Sequence, residues 1–492
     1  MAQLAPYEIL LLIGSLLMFA SLLLGQTSQR LGVPIVLFFV AVGMLAGEEG
    51  PGGIQFDNAE LAQAIGVVAL NLILFSGGLE TPWHRVKPVL RPSLVLSTAG
   101  VFISAVSLGI FASYLLDFPL LEGILLGAIV SSTDAAAVFS VLRARAAKPK
   151  DGLDVMLEVE SGSNDPTAYF LTIGLLELIQ VPDKSWYSLL PMLLLGFAGG
   201  GALGLGMGWI IRTALNRLRF HFDSFYQLLM LAGIFFTYTF GHLIHVNGFL
   251  AVYTMALFLG ASDFRHRRGA IRFFDGNAWL MQIVLFITLG MLVYPSELLP
   301  IAGAGLAVAL FLIFVARPLS VALCLLPFGI PAKQMLFVSW VGLRGAVAIV
   351  FATYPLIAGI PQAGMIFNIV FFTSVVSVAL QGTTLVRVGR WLNIFENDVA
   401  PSAGGLLEDS GLGVERAAVR EVIINDGHLE IGSRVQDLLL EEEAMVLLVG
   451  RNGRFIVPDE TMTVMKGDVL LLGSATSKGL NQAAEAWHNR QR

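Results

Sequence analysis

The sequence predicts an all-α polytopic membrane protein with a small α+β domain at its C-terminal end. Three observations carry this. Apolar residues make up 56% of the 492 positions and charged residues only 13%. Mean hydropathy is +0.76. Apolar segments of about 20 residues, enough to cross ~30 Å of hydrocarbon, recur up to residue 388. Thirteen such segments are predicted, at 7–25, 33–46, 59–79, 93–116, 120–142, 155–180, 186–212, 223–243, 247–262, 271–293, 297–327, 333–352 and 363–388.

The loops test that count, because Lys and Arg near span ends stay on the cytoplasmic side. With thirteen spans Arg30, the 85–91 and 143–150 clusters, Arg212 to Arg219, Arg265 to Arg272, Lys333, Arg387 and Arg390 all fall on one side, and Lys184 alone on the other. The N-terminus is therefore expected outside and the C-terminus in the cytoplasm, as for a multi-pass protein of a bacterial inner membrane. Met1 to Glu8 lack a basic n-region, so no removable signal peptide is expected. The single cysteine, Cys324, excludes an intrachain disulfide and a cysteine-based metal cluster. The basic residues are accounted for by topology, so no nucleic-acid partner is expected. No nucleophile with a paired base appears, so neither enzyme activity nor a cofactor is expected.

After Trp391 the composition changes. Residues 396–415, with Pro401 and Ala403-Gly404-Gly405, read as a linker between a membrane domain, 1–395, and a C-terminal domain, 416–492. There, alternating apolar runs near 419–424, 444–449 and 468–472 predict strands, with turns at 451–453 and 466–467.

Within the apolar segments the informative residues are the charged ones. A charge at bilayer depth costs ~3 kcal/mol on insertion scales and so marks a functional site. The sixth segment holds Glu160-Ser161-Gly162-Ser163-Asn164-Asp165-Pro166. Asp165 lies ten residues along it, ~15 Å deep at ~1.5 Å per residue. Ser161 and Asp165 are i and i+4, as are Glu160 and Asn164. Pro166 is expected to deform the helix beside the acid. The fifth segment holds Ser131-Ser132-Thr133-Asp134, predicted to be unwound, since four consecutive polar residues waste helix propensity. In the twelfth, Gly342-Leu343-Arg344-Gly345 predicts a second break with a permanent cation. The two breaks lie seven spans apart and run in opposite directions, the pointer to an inverted-repeat transporter. Arg344 is expected to balance the carbonyl ends of the broken helices and Asp134. Arg317, in the eleventh span, is expected to pair with Glu160, leaving Asp165 free for a proton or a cation.

These residues resemble the NhaP-type branch of the monovalent cation/proton antiporters, on ESGSNDP, the preceding Ser132-Thr133-Asp134 and the following GLRGAV. The resemblance covers about 1–395. It implies a homodimer with a moving six-helix core and Asp165 as the ion-binding acid. Asn164 would be its structural partner, Ser161 and the Thr133 backbone cation ligands, Asp134 a nearby helper, and Glu160 with Arg317 a structural bridge. The chain departs from the pattern at Ser76, where some relatives carry an acid, and at Ala135, where many have proline. The tail from 417 to 485 resembles the C-terminal half of RCK regulatory domains (TrkA-C), which implies a small nucleotide-type regulator or an oligomerisation module. Together the two matches resemble the cell-volume-regulation type of potassium/proton antiporter. The expected activity is electroneutral K⁺/H⁺ exchange, with Na⁺/H⁺ exchange as the alternative within the class. A ligand-gated cation channel and an organic-anion symporter are the rivals from other classes; no TVGYG-like filter supports a channel.

Overall fold

The computed structural model describes residues 6–395 other than 32, 82, 146 and 182, and in the C-terminal part residues 419–424, 432–435, 444–451, 454–459 and 461–474. Contacts divide the chain into two compact units, Met1–Glu396 and Asn397–Arg492. The predicted linker, 396–415, lies outside the described residues.

The first unit is helical: α1 Pro6–Leu31, α2 Ile35–Ala46, α3 Ala59–Glu80, α4 Trp83–Leu116, α5 Leu120–Ile129, α6 Ala135–Ala144, α7 Leu153–Gln180, α8 Trp186–Arg217, α9 Ser224–Leu243, α10 Gly248–Gly260, α11 Arg267–Met291, α12 Pro295–Phe328, α13 Ala332–Val341, α14 Ala346–Ala358 and α15 Ala363–Trp391. Each segment predicted from the sequence falls on one of these helices or on a broken pair, α5 with α6 or α13 with α14. Among the described residues, seven helices are long and apolar enough to cross a membrane, namely α3, α4, α8, α9, α11, α12 and α15; the α13–α14 pair, bent by 53°, makes an eighth. Of the others, α2, α5 and α10 are short apolar helices and α7 is interrupted by charge.

Local chemistry sets several boundaries. Asn58 opens α3 by accepting from the Leu61 amide at 2.8 Å, and Asn247 opens α10 by accepting from Leu250 at 3.0 Å. Pro318 cannot donate a backbone hydrogen bond, and the helix around it loosens into a π turn at Leu312–Ala316 directly before Arg317. Gly196, Gly200, Gly204 and Gly208 form a buried stripe along α8. A Cβ added at Gly200 would lie 2.8 Å from the Asn247 carbonyl and one at Gly204 would run into the Ala251 carbonyl, so these two glycines let α8 approach the α10 backbone closely.

α7 runs unbroken from Leu153 to Gln180 with Pro166 inside it. The Pro166 carbonyl accepts a hydrogen bond from the Asn247 side-chain amide, at 2.9 Å.

In the second unit, β1 Val419–Ile423, β2 Ala444–Arg451, β3 Arg454–Ile456 and β4 Val469–Ser474 form one antiparallel sheet in the order β1-β4-β2-β3. The three predicted strands correspond to β1, β2 and β4; β3, three residues long, was too short to recognise. Gly467, at φ +87°, serves the predicted turn, whereas 452–453 lie outside the described residues. The helical component expected of this domain falls on none of the described residues. Ile424, Val435, Val449, Val464, Leu470 and Leu472 form its core. Arg451 closes one end of the sheet with two hydrogen bonds to Asp468, at 2.8 and 2.6 Å.

Candidate functional site

The two breaks meet. Between α5 and α6 the chain is non-helical through Ser132, Thr133 and Asp134, and between α13 and α14 through 342–345. The Asp134 amide donates to the Leu343 carbonyl at 2.9 Å, so each unwound segment satisfies part of the other's backbone. The remaining carbonyls at the end of α5 are met by a charge: Arg344 Nη1 donates to Ser131 O at 2.5 Å and Ser132 O at 2.8 Å. A cation thus stands at carbonyls just beyond the C-terminus of α5, where the helix dipole favours positive charge. The expected pairing of Arg344 with Asp134 is not seen. Asp134 instead caps α6, accepting from the Ala137 amide at 3.0 Å. Gly345 is required beside it, because a Cβ there would run into the Asp134 carboxylate.

A buttress from α15 fixes Arg344. Its amide donates to Ser377 Oγ at 3.0 Å, Ser377 donates to Gln381 Oε1 at 2.6 Å, and Gln381 Nε2 donates to the Trp340 carbonyl at 2.8 Å. Gln381 lies in a π turn, Val378–Gly382, which aims it at the break.

α7 supplies the opposite wall. Glu160 accepts from Arg317 Nη1 at 3.0 Å, with both side chains almost wholly buried. It also accepts from Asn164 Nδ2 at 3.0 Å and from the Thr133 hydroxyl at 3.3 Å. Asn164 Nδ2 bonds Thr133 Oγ1 at 2.5 Å, and Asn164 Oδ1 accepts from the Thr133 amide at 3.3 Å. Ser161 Oγ donates to the Thr133 carbonyl at 2.8 Å and accepts from the Ala135 amide at 3.0 Å. The chain of contacts Arg317–Glu160–Asn164–Thr133 therefore pins the break to α7.

Asp165 stands apart from it. Its hydrogen bond is from the Ser132 hydroxyl, at 2.6 Å, and no ion pair among the described residues includes it. It lines, with Thr133, Asp134 and Ser161, a cavity of about 130 Å³. The cavity wall extends to Glu80, Arg143 and Asp275, near the helix ends that carry the basic loops. Toward the other helix ends, aromatic rings pack together one turn beyond Asp165. Tyr169 meets Phe249 edge-on at 5.3 Å and Tyr354 at 5.7 Å, and Phe249 meets Tyr238 at 4.9 Å. Among the described residues, no group of three or more His, Cys, Asp or Glu side chains is arranged to hold a metal ion.

The structure thus brings together Asp165, Asn164, Ser161, Thr133, Asp134, Glu160, Arg317 and Arg344. Sequence reasoning did not assign roles to Ser132, Asn247, Ser377 and Gln381. Ser132 and Asn247 carried a signal, a hydroxyl inside a predicted break and an Asn directly before a helix; the α15 pair carried none.

Residues 16–391 match the family model described as "Sodium/hydrogen exchanger, transmembrane". The chain belongs to the sodium/hydrogen exchanger family. It is therefore a multi-pass membrane protein of a transporter family rather than an enzyme. It is 39% identical over 469 residues to the K(+)/H(+) antiporter NhaP of Alkalimonas amylolytica, covering 94% of this chain and 80% of that one. It is 38% identical over 473 residues to the K(+)/H(+) antiporter NhaP2 of Shewanella sp. (strain ANA-3), covering 95% and 81%. Among solved structures, the sodium proton antiporter MjNhaP1 of Methanocaldococcus jannaschii superposes with a TM-score of 0.68 at 25% identity, over 78% of this chain and 99% of that one.

Proposed function

We propose that this family member is a K⁺/H⁺ antiporter in which one carboxylate, Asp165, binds a proton or a cation in turn. The observation that carries this reading is the isolation of Asp165: a buried acid beside a cavity, hydrogen-bonded by a hydroxyl and in no ion pair among the described residues. An empty carboxylate is costly to move through a low-dielectric barrier, whereas a protonated or cation-loaded one is not. Competition of the two ions for one negative charge then gives electroneutral, one-for-one exchange. The K⁺ choice is supported by the two relatives at 38–39% identity, both described as K⁺/H⁺ antiporters; Na⁺ is the alternative, since oxygen donors suit either ion.

In this mechanism Glu160 and Arg317 hold the scaffold, Asn164 ties it to the break, and Arg344 keeps the unwound carbonyls in place. Ser132 orients the carboxyl of Asp165, and a cation arriving there recruits the Thr133 carbonyl and Ser161 hydroxyl, which hold each other at 2.8 Å. Asp134 adds negative potential while capping α6. In this reading the ion reaches Asp165 from the basic-loop end, and the aromatic cluster around Tyr169 seals the other. All thirteen segments cross the bilayer, with the N-terminus outside, the basic loops and C-terminus in the cytoplasm, and the protein a homodimer in the bacterial inner membrane. The C-terminal sheet belongs to an RCK C-terminal (TrkA-C)-like domain that regulates exchange through a small nucleotide-type ligand.

The test is a proteoliposome assay with an entrapped pH dye. Addition of K⁺, Na⁺ or Li⁺ to wild type is expected to move protons with K⁺ preferred and without dependence on membrane potential. Potential-driven K⁺ flux without proton movement would instead indicate a channel, and flux that required an organic anion a symporter.

A further inference from the structure

Asp165 is not the only carboxylate on its face of α7. Glu158, Gly162 and Asp165 follow at i, i+4 and i+7, so a single stripe runs ~10 Å from one acid to the other at ~1.5 Å per residue. All three line the same cavity. Gly162, between them, is covered by the ring of Tyr253 from α10, and a Cβ added there would lie 2.8 Å from the Tyr253 hydroxyl and run into the ring itself. Tyr253 is 2% exposed. Tyr253 lines the cavity, and its hydroxyl has no hydrogen-bond partner among the described residues. A buried, unsatisfied hydroxyl is destabilising. Its place midway between two acids gives it a task that packing does not.

The neighbourhood of Glu158 is acidic. Its carboxylate accepts from the Thr81 hydroxyl at the end of α3. Glu80, the preceding residue, and Asp275 of α11 line the same part of the cavity, with Arg143 of α6 as the cation among them. Three carboxylates against one guanidinium leave this stretch of wall with an excess of negative charge. None of the Glu160, Arg317 and Arg344 contacts extends to it.

We propose that Glu158, Glu80 and the Tyr253 hydroxyl form a second monovalent-cation site, a waiting position on the basic-loop side of Asp165 from which the ion is handed along α7. The carboxylates concentrate the cation and hold it partly hydrated; the Tyr253 oxygen replaces a lost water ligand as the ion passes Gly162. This deepens the antiport reading and rests on it.

The experiment compares exchange in proteoliposomes sorted by orientation, with K⁺ added to one face at a time. Glu158→Gln is expected to raise the apparent KM for K⁺ about tenfold when K⁺ is added at the basic-loop face, the scale of one charge removed from a partly hydrated site, and to leave KM at the other face at its wild-type value. Tyr253→Phe, which keeps the ring over Gly162, is expected to raise KM at the same face by a smaller factor, and Glu158→Asp to restore part of the loss. Glu80→Gln carries the same test should Glu158→Gln fail to fold. Wild-type KM in Glu158→Gln and Tyr253→Phe, or equal changes at both faces, overturns the second site. Absence of cation-driven proton movement in the wild type would instead overturn the antiport reading itself.

Discussion

Replacing Arg317 by Met separates structural support from ion handling. At 3.0 Å the Glu160–Arg317 attraction is about 5 kcal/mol at an effective dielectric of about 20. Removing the guanidinium leaves Glu160, 2% exposed, with two uncharged donors, the Asn164 amide and the Thr133 hydroxyl. Breaking a buried pair by deleting one partner costs ~3–5 kcal/mol, much of it the penalty of the stranded charge. The two remaining hydrogen bonds, worth ~1 kcal/mol each, place Arg317→Met toward the lower end. Once Glu160→Gln is added no charge is stranded, so the double variant is expected to cost about 2 kcal/mol less than the sum of the two singles. The assay is equilibrium unfolding of wild type, both singles and the double in mixed micelles. A cost below about 1 kcal/mol for Arg317→Met, or strict additivity, would refute the view that this pair carries the break through Glu160 and Asn164.

Four other outcomes are expected. Asp134→Ala loses the α6 cap and about 1 kcal/mol of stability, whereas Asp134→Asn keeps the cap; unfolding of the two variants side by side checks this. Gly162→Ala drives a methyl group into the Tyr253 ring, costing ~1–3 kcal/mol as overpacking and slowing exchange; Tyr253→Ala in the same chain recovers stability by making room. In the C-terminal unit Asp468, 1% exposed, accepts from Arg451 and from the Met465 amide. Asp468→Asn is expected to cost about 2 kcal/mol, read from hydrogen exchange across β2 and β4 in the full chain. On the 47–58 loop, the hydroxyl and amide of Ser296 hold Glu49 below its usual value of 4.5. A lowered folded pKa contributes stability that is present above that value and lost as pH falls through the lowered one. The loop amides should therefore lose protection, relative to their intrinsic exchange rates, in acid, and Ser296→Ala, which removes the hydroxyl and keeps the amide, should reduce the difference.

Much of the helical unit was legible because a membrane allows few solutions. Apolar length gave the segments, and charge at depth singled out Glu160, Asp165, Arg317 and Arg344. The breaks at Ser131–Asp134 and Gly342–Gly345 could be read because polar and glycine runs there contradict helix propensity. Pairing was less legible. Arg344 chose the Ser131 and Ser132 carbonyls over Asp134, and only the crossing geometry, with Asp134 N on Leu343 O, decides between them. The hydrogen bond from Asn247 to the Pro166 carbonyl, eighty-one positions away, is likewise decided only by the fold. Ser377 and Gln381 resemble ordinary small polar residues of an apolar helix, and no pattern distinguishes them before the fold brings them to Arg344. β3 is visible only through its pairing with β2.

The central claim concerns one carboxylate shared by two ions, and proton movement by Asp165→Asn in proteoliposomes tests it most directly. The amide retains the size of the side chain and an acceptor for Ser132, so a folded, monodisperse protein is expected in which K⁺ and Na⁺ move no protons. Cation-dependent proton release from that variant at a rate near wild type would contradict the account.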